Sequence, residues 1–263
     1  QQGSADNPRL GHLLGFLVDD FGLDAYIART RLTGSGKALF GKGSHEKTSQ
    51  LAMTLRNHGY DCWVVHRTPR VTQPFRMREL SIGQDAVELI GRDRKLSLLK
   101  GATVVAVLAD ISGKLEERTL KRHSAQRLYK NANNVTSMSE GKLLQSVLKG
   151  SPVLDFYVLS QEGPPYDAVR IFPARYDAKG LGDRMTISAI RNLEALVALA
   201  DEYAGRFVLH VDFGLGRLPD CQIKDLDGSF FSEDVILERL TRYGHLMCDL
   251  EQDCREPDRD DLD

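Results

Sequence analysis

The stretch Thr103–Asp110, TVVAVLAD, decides how the chain folds. Its residues are apolar at both alternating positions, and three of the eight are valine. Successive side chains of a strand point to opposite faces, so such a segment must be covered on both. It therefore belongs inside a sheet with a layer packed on each side.

The rest of the chain supplies those layers. YDCWVVH (Tyr60–His66), VLDFYVL (Val153–Leu159), AVRIFPARY (Ala168–Tyr176), RMTISAI (Arg184–Ile190) and RFVLHVDF (Arg206–Phe213) read as further strands. AVELIGRDRKLSLLK (Ala86–Lys100) reads as two strands around a polar turn at Gly91–Arg94. Apolar residues three and four apart predict one or two short helices over Leu10–Leu32, broken near Phe21-Gly22. More helices are expected at Thr48–Asn57, closed by Gly59, at Leu115–Lys130, at Glu140–Leu148 and at Asn192–Gly205. A closing helix runs over Ser232–Leu250, where Ser232, Glu233 and Asp234 suit a first turn.

Strands and helices alternate throughout, which predicts an α/β or α+β fold: a mixed central sheet, flanking helices, and a C-terminal helix followed by an acidic tail. That tail, Asp249–Asp263, holds eight acidic residues against two arginines. The loop SQEGPPYD (Ser160–Asp167) divides the chain into an N-terminal portion, 1–160, and a C-terminal portion, 161–263, unless the two form one continuous domain.

The chain has 263 residues, 41% hydrophobic and 27% charged, with a net charge of −2. That balance gives no overall attraction to nucleic acid or anionic membrane, so any such attraction has to be local. No apolar run approaches the roughly 18 residues of a membrane span, and QQGSADNPRL lacks the layout of a signal peptide. Cys62, Cys221, Cys248 and Cys254 are too sparse for a disulfide scaffold, and a cytoplasmic location fits. Cys62 with His66, and His245 with Cys248 and Cys254, do not make the paired short spacings of structural zinc, so no metal site is expected.

Two segments concentrate positive charge. HRTPRVTQPFRMRE (His66–Glu79) carries Arg67, Arg70, Arg76 and Arg78 around Phe75. KLEERTLKRHSAQRLYK (Lys114–Lys130) carries Arg118, Lys121, Arg122, Arg127 and Lys130, with Tyr129 beside them. Arginine beside an aromatic suits a phosphate backbone and stacked bases. The leading expectation is thus a protein that binds a phosphate-bearing ligand, nucleic acid above all, with Lys37 and Lys42 as auxiliary contacts. It needs no cofactor. The competing view makes these charges an ordinary solvated surface.

GSGKALFGKGSHEK (Gly34–Lys47) frames Gly36, four residues and Gly41-Lys42 as a Walker A loop does, with Asp110 as a Walker B-like acid. Gly43 stands where the metal-holding hydroxyl belongs, Ser44 comes one position late, and ARTRLT before the loop is a poor buried strand. A flexible basic loop is the better reading. Asp212-Phe213-Gly214 after an apolar strand, with GLGDR (Gly180–Arg184) upstream, resembles the metal-binding and catalytic loops of protein and lipid kinases. The resemblance implies Asp212 as a ligand of Mg²⁺ and Asp183 as a base. It departs from the kinase pattern after Asp183, where RMTISAI has no Asn or His, and only 49 residues follow Gly214. A core strand ending in a glycine turn accounts for the same residues. KDLDGSFF (Lys224–Phe231) resembles the nucleophile motif of haloacid-dehalogenase-type phosphatases, yet only 32 residues remain after it, and a surface turn explains it better.

Three functions follow as expectations: phosphate-ligand or nucleic-acid binding through the arginine-rich segments; an atypical phosphotransferase or nucleotide-binding enzyme using the glycine loop and Asp212, the one reading that brings in Mg²⁺; and a non-catalytic module that docks a protein partner.

Overall fold

The computed structural model describes residues 8–33, 37–65, 72–112, 140–159, 166–215, 218–225 and 227–253. Helices α1 (Pro8–Asp19), α2 (Ala25–Thr33) and α3 (His45–Asn57) come first. Strands β1 (Phe75–Arg76), β2 (Glu79–Ile82), β3 (Ala86–Ile90), β4 (Lys95–Leu99) and β5 (Thr103–Asp110) follow. Then come α4 (Glu140–Leu148), β6 (Pro152–Leu159), β7 (Asp167–Ile171), a 3-10 segment at Ala178–Arg184, α5 (Ala189–Tyr203), β8 (Arg206–His210) and α6 (Glu233–Asp253).

Among the described residues the strands form a five-stranded mixed sheet, ordered β1-β7-β6-β5-β8, and a three-stranded antiparallel sheet, β2-β3-β4. β5 lies between antiparallel β6 and parallel β8, buried along almost its whole length. Its alternating residues feed two cores. Val104, Ala106 and Leu108 join Leu143 of α4, Leu193 and Leu196 of α5, and the small sheet. Val105, Val107 and Ala109 join Ile236, Leu240, Tyr243 and Met247 of α6. Full burial of a valine or leucine side chain contributes about 1.5–3 kcal/mol, so these layers outweigh an exposed ion pair such as Arg94–Asp167. A third cluster, Leu13, Leu17, Leu51 and Leu55 among its members, holds α1–α3 together.

β6 and β7 pair antiparallel while β1 and β8 run parallel to β7 and β5, so β1, β5, β7 and β8 all finish at one end of the sheet. α5 covers one face and α6 the other, so the chain changes faces just beyond β8. Ligands of open α/β sheets bind outside the carboxyl ends of strands at such a switch.

α6 lies close on β6. A side chain at Gly244 would overlap the ring and hydroxyl of Tyr157, so only glycine allows that approach. Beneath α6, the cross-strand partners Asp155 and Arg170 make a bidentate ion pair at 2.7 and 2.6 Å. Asp155 is 0% exposed and Arg170 6%. Arg170 Nη2 also donates to Thr241 Oγ1 at 2.9 Å, and the Tyr157 hydroxyl donates to Asp155 at 3.3 Å.

Several expected elements form differently. The segment Tyr60–Val65 is irregular instead of a strand, since Tyr60 and Cys62 pack against α1–α3 and the Cys62 carbonyl accepts from Arg56 Nε at 2.8 Å. AVRIFPARY is strand only as far as Ile171, before Pro173 and a turn in which Arg175 N–H donates to the Phe172 carbonyl. RMTISAI forms no strand: Asn192 Oδ1 accepts from Thr186 N–H at 2.7 Å, and the Ser188 side chain caps α5. α3 begins at His45, three residues earlier than expected, because Ser44 serves as its cap, and Gly59 takes φ 85° after its end as expected. The helix expected at Leu115–Lys130 and the acidic tail beyond Asp253 lie outside the described residues. β6 and β7, on either side of the expected division at residue 160, belong to the same sheet. No helix among the described residues is long and apolar enough to cross a membrane.

Candidate functional site

β8 delivers the residues of greatest chemical interest. His210 is its last residue, level with Val107 of β5, and Val211-Asp212-Phe213-Gly214 continue past the sheet. Leu215 N–H donates to the Asp212 carbonyl at 3.1 Å, with Gly214 at φ 79°. That is a reverse turn whose third residue must take positive φ, which is why glycine stands there. The strand-and-glycine-turn reading of Asp212-Phe213-Gly214 is thus what the backbone does, and the turn leaves the Asp212 carboxylate facing α6.

Lys37, from the glycine loop, meets that carboxylate across 175 residues of chain. Its Nζ lies 3.0 Å from Asp212 Oδ2 and 3.3 Å from Oδ1. Tyr243 of α6 donates its hydroxyl to Asp212 Oδ1 at 2.6 Å and accepts from Lys37 Nζ at 3.4 Å. The side chains of Lys37 and Asp212 keep 26% and 20% exposure, so the pair sits at the mouth of a recess. Lys37, Asp212, Gly214, Leu218, Cys221 and Tyr243 line an indentation of about 180 Å³, counted to its solvent mouth and too narrow to admit water as it stands. Lys37 fills it.

The electrostatics follow. Burial works against ionisation of Asp212, but the Lys37 charge and the hydrogen bonds from Tyr243 and Lys37 outweigh it, holding the carboxyl below its ordinary range. Burial pushes the Tyr243 hydroxyl well up, and the neighbouring carboxylate adds to the rise, so Tyr243 stays a donor. Burial, then the Lys37 charge, lowers His210 to about 4, which leaves it neutral. His210 Nε2 is buried with no hydrogen-bond partner among the described residues, and the ring meets Tyr243 edge-on at 6.5 Å.

The other candidates lie elsewhere. Asp183 is exposed on the 3-10 segment and makes no ion pair among the described residues. The Asp110 carboxylate turns inward, accepting from Ser112 N–H and Oγ and from Ser151 N–H. Lys42 and Arg78 are exposed, without an ion pair among the described residues. Helix α2 precedes the glycine loop where a P-loop needs a strand, so the Walker A frame has no scaffold. KDLDGSFF makes a turn, with Gly228 N–H donating to the Asp225 carbonyl and Ser229 to the Asp227 carboxylate. Arg67, Arg70, Arg118, Lys121, Arg122, Arg127 and Lys130 lie outside the described residues. His245 Nε2 is 2.8 Å from the Thr72 carbonyl and Cys248 is buried in α6, away from zinc-like company; no group of three metal-binding side chains occurs among the described residues.

Arg76, at the end of β1, makes a different contact. Its guanidinium lies over the Phe172 ring at 5.3 Å, and Arg175 lies over the same ring at 4.9 Å. Neither pairs with a carboxylate among the described residues.

Sequence reasoning put the glycine loop and Asp212 into one enzymatic reading, but it took Lys37 as an auxiliary contact and Asp183 as the base; the structure brings Lys37 to Asp212 and leaves Asp183 exposed on the 3-10 segment. Tyr243, His210 and Cys221 escaped it as site residues: His210 sits in an apolar strand that reads as core, Tyr243 in an amphipathic helix, and Cys221 was read only as one of four sparse cysteines. Comparison with protein-family models, curated proteins and solved structures finds no match.

Proposed function

We propose that the Lys37–Asp212 centre binds the phosphates of a nucleotide, with a divalent cation on Asp212, and that the chain is an atypical nucleotide-binding protein of the phosphotransferase kind. One observation carries this reading: the glycine-loop lysine and the strand-end aspartate meet at 3.0 Å. Phosphoryl chemistry needs a mobile cation for the phosphate and a carboxylate for the metal, side by side. In the absence of ligand the two neutralise each other. Asp212 would hold the cation, which would supply neutralising charge to the phosphates, and Lys37, now paired with Asp212, would donate to a phosphate oxygen. Tyr243, donating to Oδ1, would hold the carboxylate in place for the cation. His210, neutral, stands two residues before Asp212 with its ring edge-on to Tyr243.

Titration calorimetry with ATP and Mg²⁺ tests this. Binding that needs Mg²⁺ and weakens at least about tenfold in Asp212→Ala supports the reading, since a charge-assisted contact contributes about 1.5–3 kcal/mol. A flat titration ends it.

Nucleic-acid binding through the arginine-rich segments is the second reading, favoured by the exposed and carboxylate-free Arg76. Salt-dependent oligonucleotide binding that survives charge reversal of Arg118, Arg122 and Arg127 unchanged would refute the part given to the 118–130 segment.

A further inference from the structure

We infer that Arg76 and Arg175, held over the ring of Phe172, form a clamp for a phosphate group, at a site separate from Asp212. Phe172 is 8% exposed and belongs to the core under α6, so the ring is a fixed platform. The two guanidiniums reach it from different parts of the chain, Arg76 from β1 and Arg175 from the turn after β7. Both centres lie close to one ring, which confines them to within about 10 Å of each other. Cation–π stacking engages the guanidinium face and leaves the N–H edge free to donate. Neither arginine has a carboxylate partner among the described residues, whereas Arg170, level with Arg76 in the sheet, is fully committed to Asp155 and Thr241. Two forks tied to one ring and without a described carboxylate partner suit an anion with oxygens enough for both, and phosphate is such a group.

The position fits the fold. Arg76 and Phe172 stand where β1 and β7 finish, the same end at which β8 releases Asp212. β7, which leads to Phe172, lies three strand spacings from β8, about 14 Å, and β1, which carries Arg76, lies four, about 19 Å, so the clamp and the Asp212 centre are separate. The clamp rests on the nucleic-acid reading only for the source of its phosphate. A nucleic-acid backbone and a free phosphate monoester offer the same chemistry.

The test uses the whole chain in EDTA, which removes any metal-dependent binding at Asp212. Fluorescence anisotropy with a labelled ten-residue oligothymidylate is run between 50 and 200 mM salt, and phosphorus NMR follows inorganic phosphate. Wild type is expected to bind the oligonucleotide with a salt-dependent affinity. Arg175→Glu is expected to weaken binding at least tenfold and to lower the slope of log K against log salt by about 1, because one phosphate fewer is neutralised. Arg175→Lys, which keeps the charge and loses the fork, is expected to fall between. If inorganic phosphate binds in an Arg175-dependent manner and the oligonucleotide does not, the clamp stands, its ligand is a phosphate monoester, and the nucleic-acid reading fails. If neither probe binds, or both bind Arg76→Glu and Arg175→Glu as well as wild type, with circular dichroism showing all three folded, the inference is overturned.

Discussion

Replacing Arg170 by methionine removes the cation beneath α6 and leaves Asp155 buried at 0% exposure. The carboxylate then keeps one described side-chain donor, the Tyr157 hydroxyl at 3.3 Å, in place of two short guanidinium bonds at 2.7 and 2.6 Å. Breaking a buried ion pair by removing one partner costs about 3–5 kcal/mol, because the remaining charge has lost its hydration and gained nothing in return. Against a total stability of about 5–15 kcal/mol, that is enough to unfold much of the protein in mild denaturant. The double variant Asp155→Leu/Arg170→Met behaves differently. It exchanges the pair for apolar groups, a change often neutral for a buried ion pair, and Thr241 Oγ1 still donates to the Leu237 carbonyl at 3.0 Å. Only the Tyr157 hydroxyl is left without its acceptor, at about 1–3 kcal/mol. Either single variant should therefore be less stable than the double, with a coupling of about 3 kcal/mol or more across the cycle. Urea unfolding of the four proteins at pH 7, followed by far-ultraviolet circular dichroism, measures it. Effects that add to within about 0.5 kcal/mol, or an Arg170→Met cost below about 1 kcal/mol, would show that the pair is not the linchpin under α6.

Other outcomes follow from single contacts. Gly244→Ala should gain about 1 kcal/mol of helix propensity in an ordinary helix, but here the new methyl meets Tyr157, so a net loss of about 1–3 kcal/mol is expected in thermal or urea unfolding. His210 is held neutral with its pKa lowered to about 4, so the unfolded chain takes up the proton first as pH falls. The His210 contribution to stability should therefore be full above about pH 6.5 and decline by at most about 1.4 kcal/mol per unit down to about pH 4, and His210→Gln should remove that part of the slope. Buried His245, whose pKa burial also lowers, contributes in the same direction. Ser188→Ala should cost about 1 kcal/mol through loss of the α5 cap, read as a lower urea midpoint without change of slope. Lys37→Met should weaken Mg²⁺–ATP binding about tenfold or more while changing stability by less than about 1 kcal/mol, because the Lys37–Asp212 pair is partly solvated; a stability loss with unchanged binding would make Lys37 merely structural.

Local signals determined much of this fold. TVVAVLAD demanded a strand covered on both faces because its apolar side chains point to both, and β5 is that strand, with α5 and the small sheet on one side and α6 on the other. The helix periods, the Gly59 cap and the hairpin turn at Gly91–Arg94 act within a few residues, so they were legible without neighbours. Tyr60–Val65 and RMTISAI were misread because apolar composition fixes burial but not the partner. Packing on α1–α3 satisfied the first, and the Ser188 and Asn192 side chains claimed the second for a helix entrance. The candidate site belongs wholly to tertiary structure. Lys37 lay in a glycine loop, Asp212 in a strand end and Tyr243 in an amphipathic helix, and no spacing rule connects positions so far apart. Ion pairs and shared rings depend on distance in space, and only the sheet order, with four strands finishing at one end and α6 closing over them, brought those charges within reach of one another.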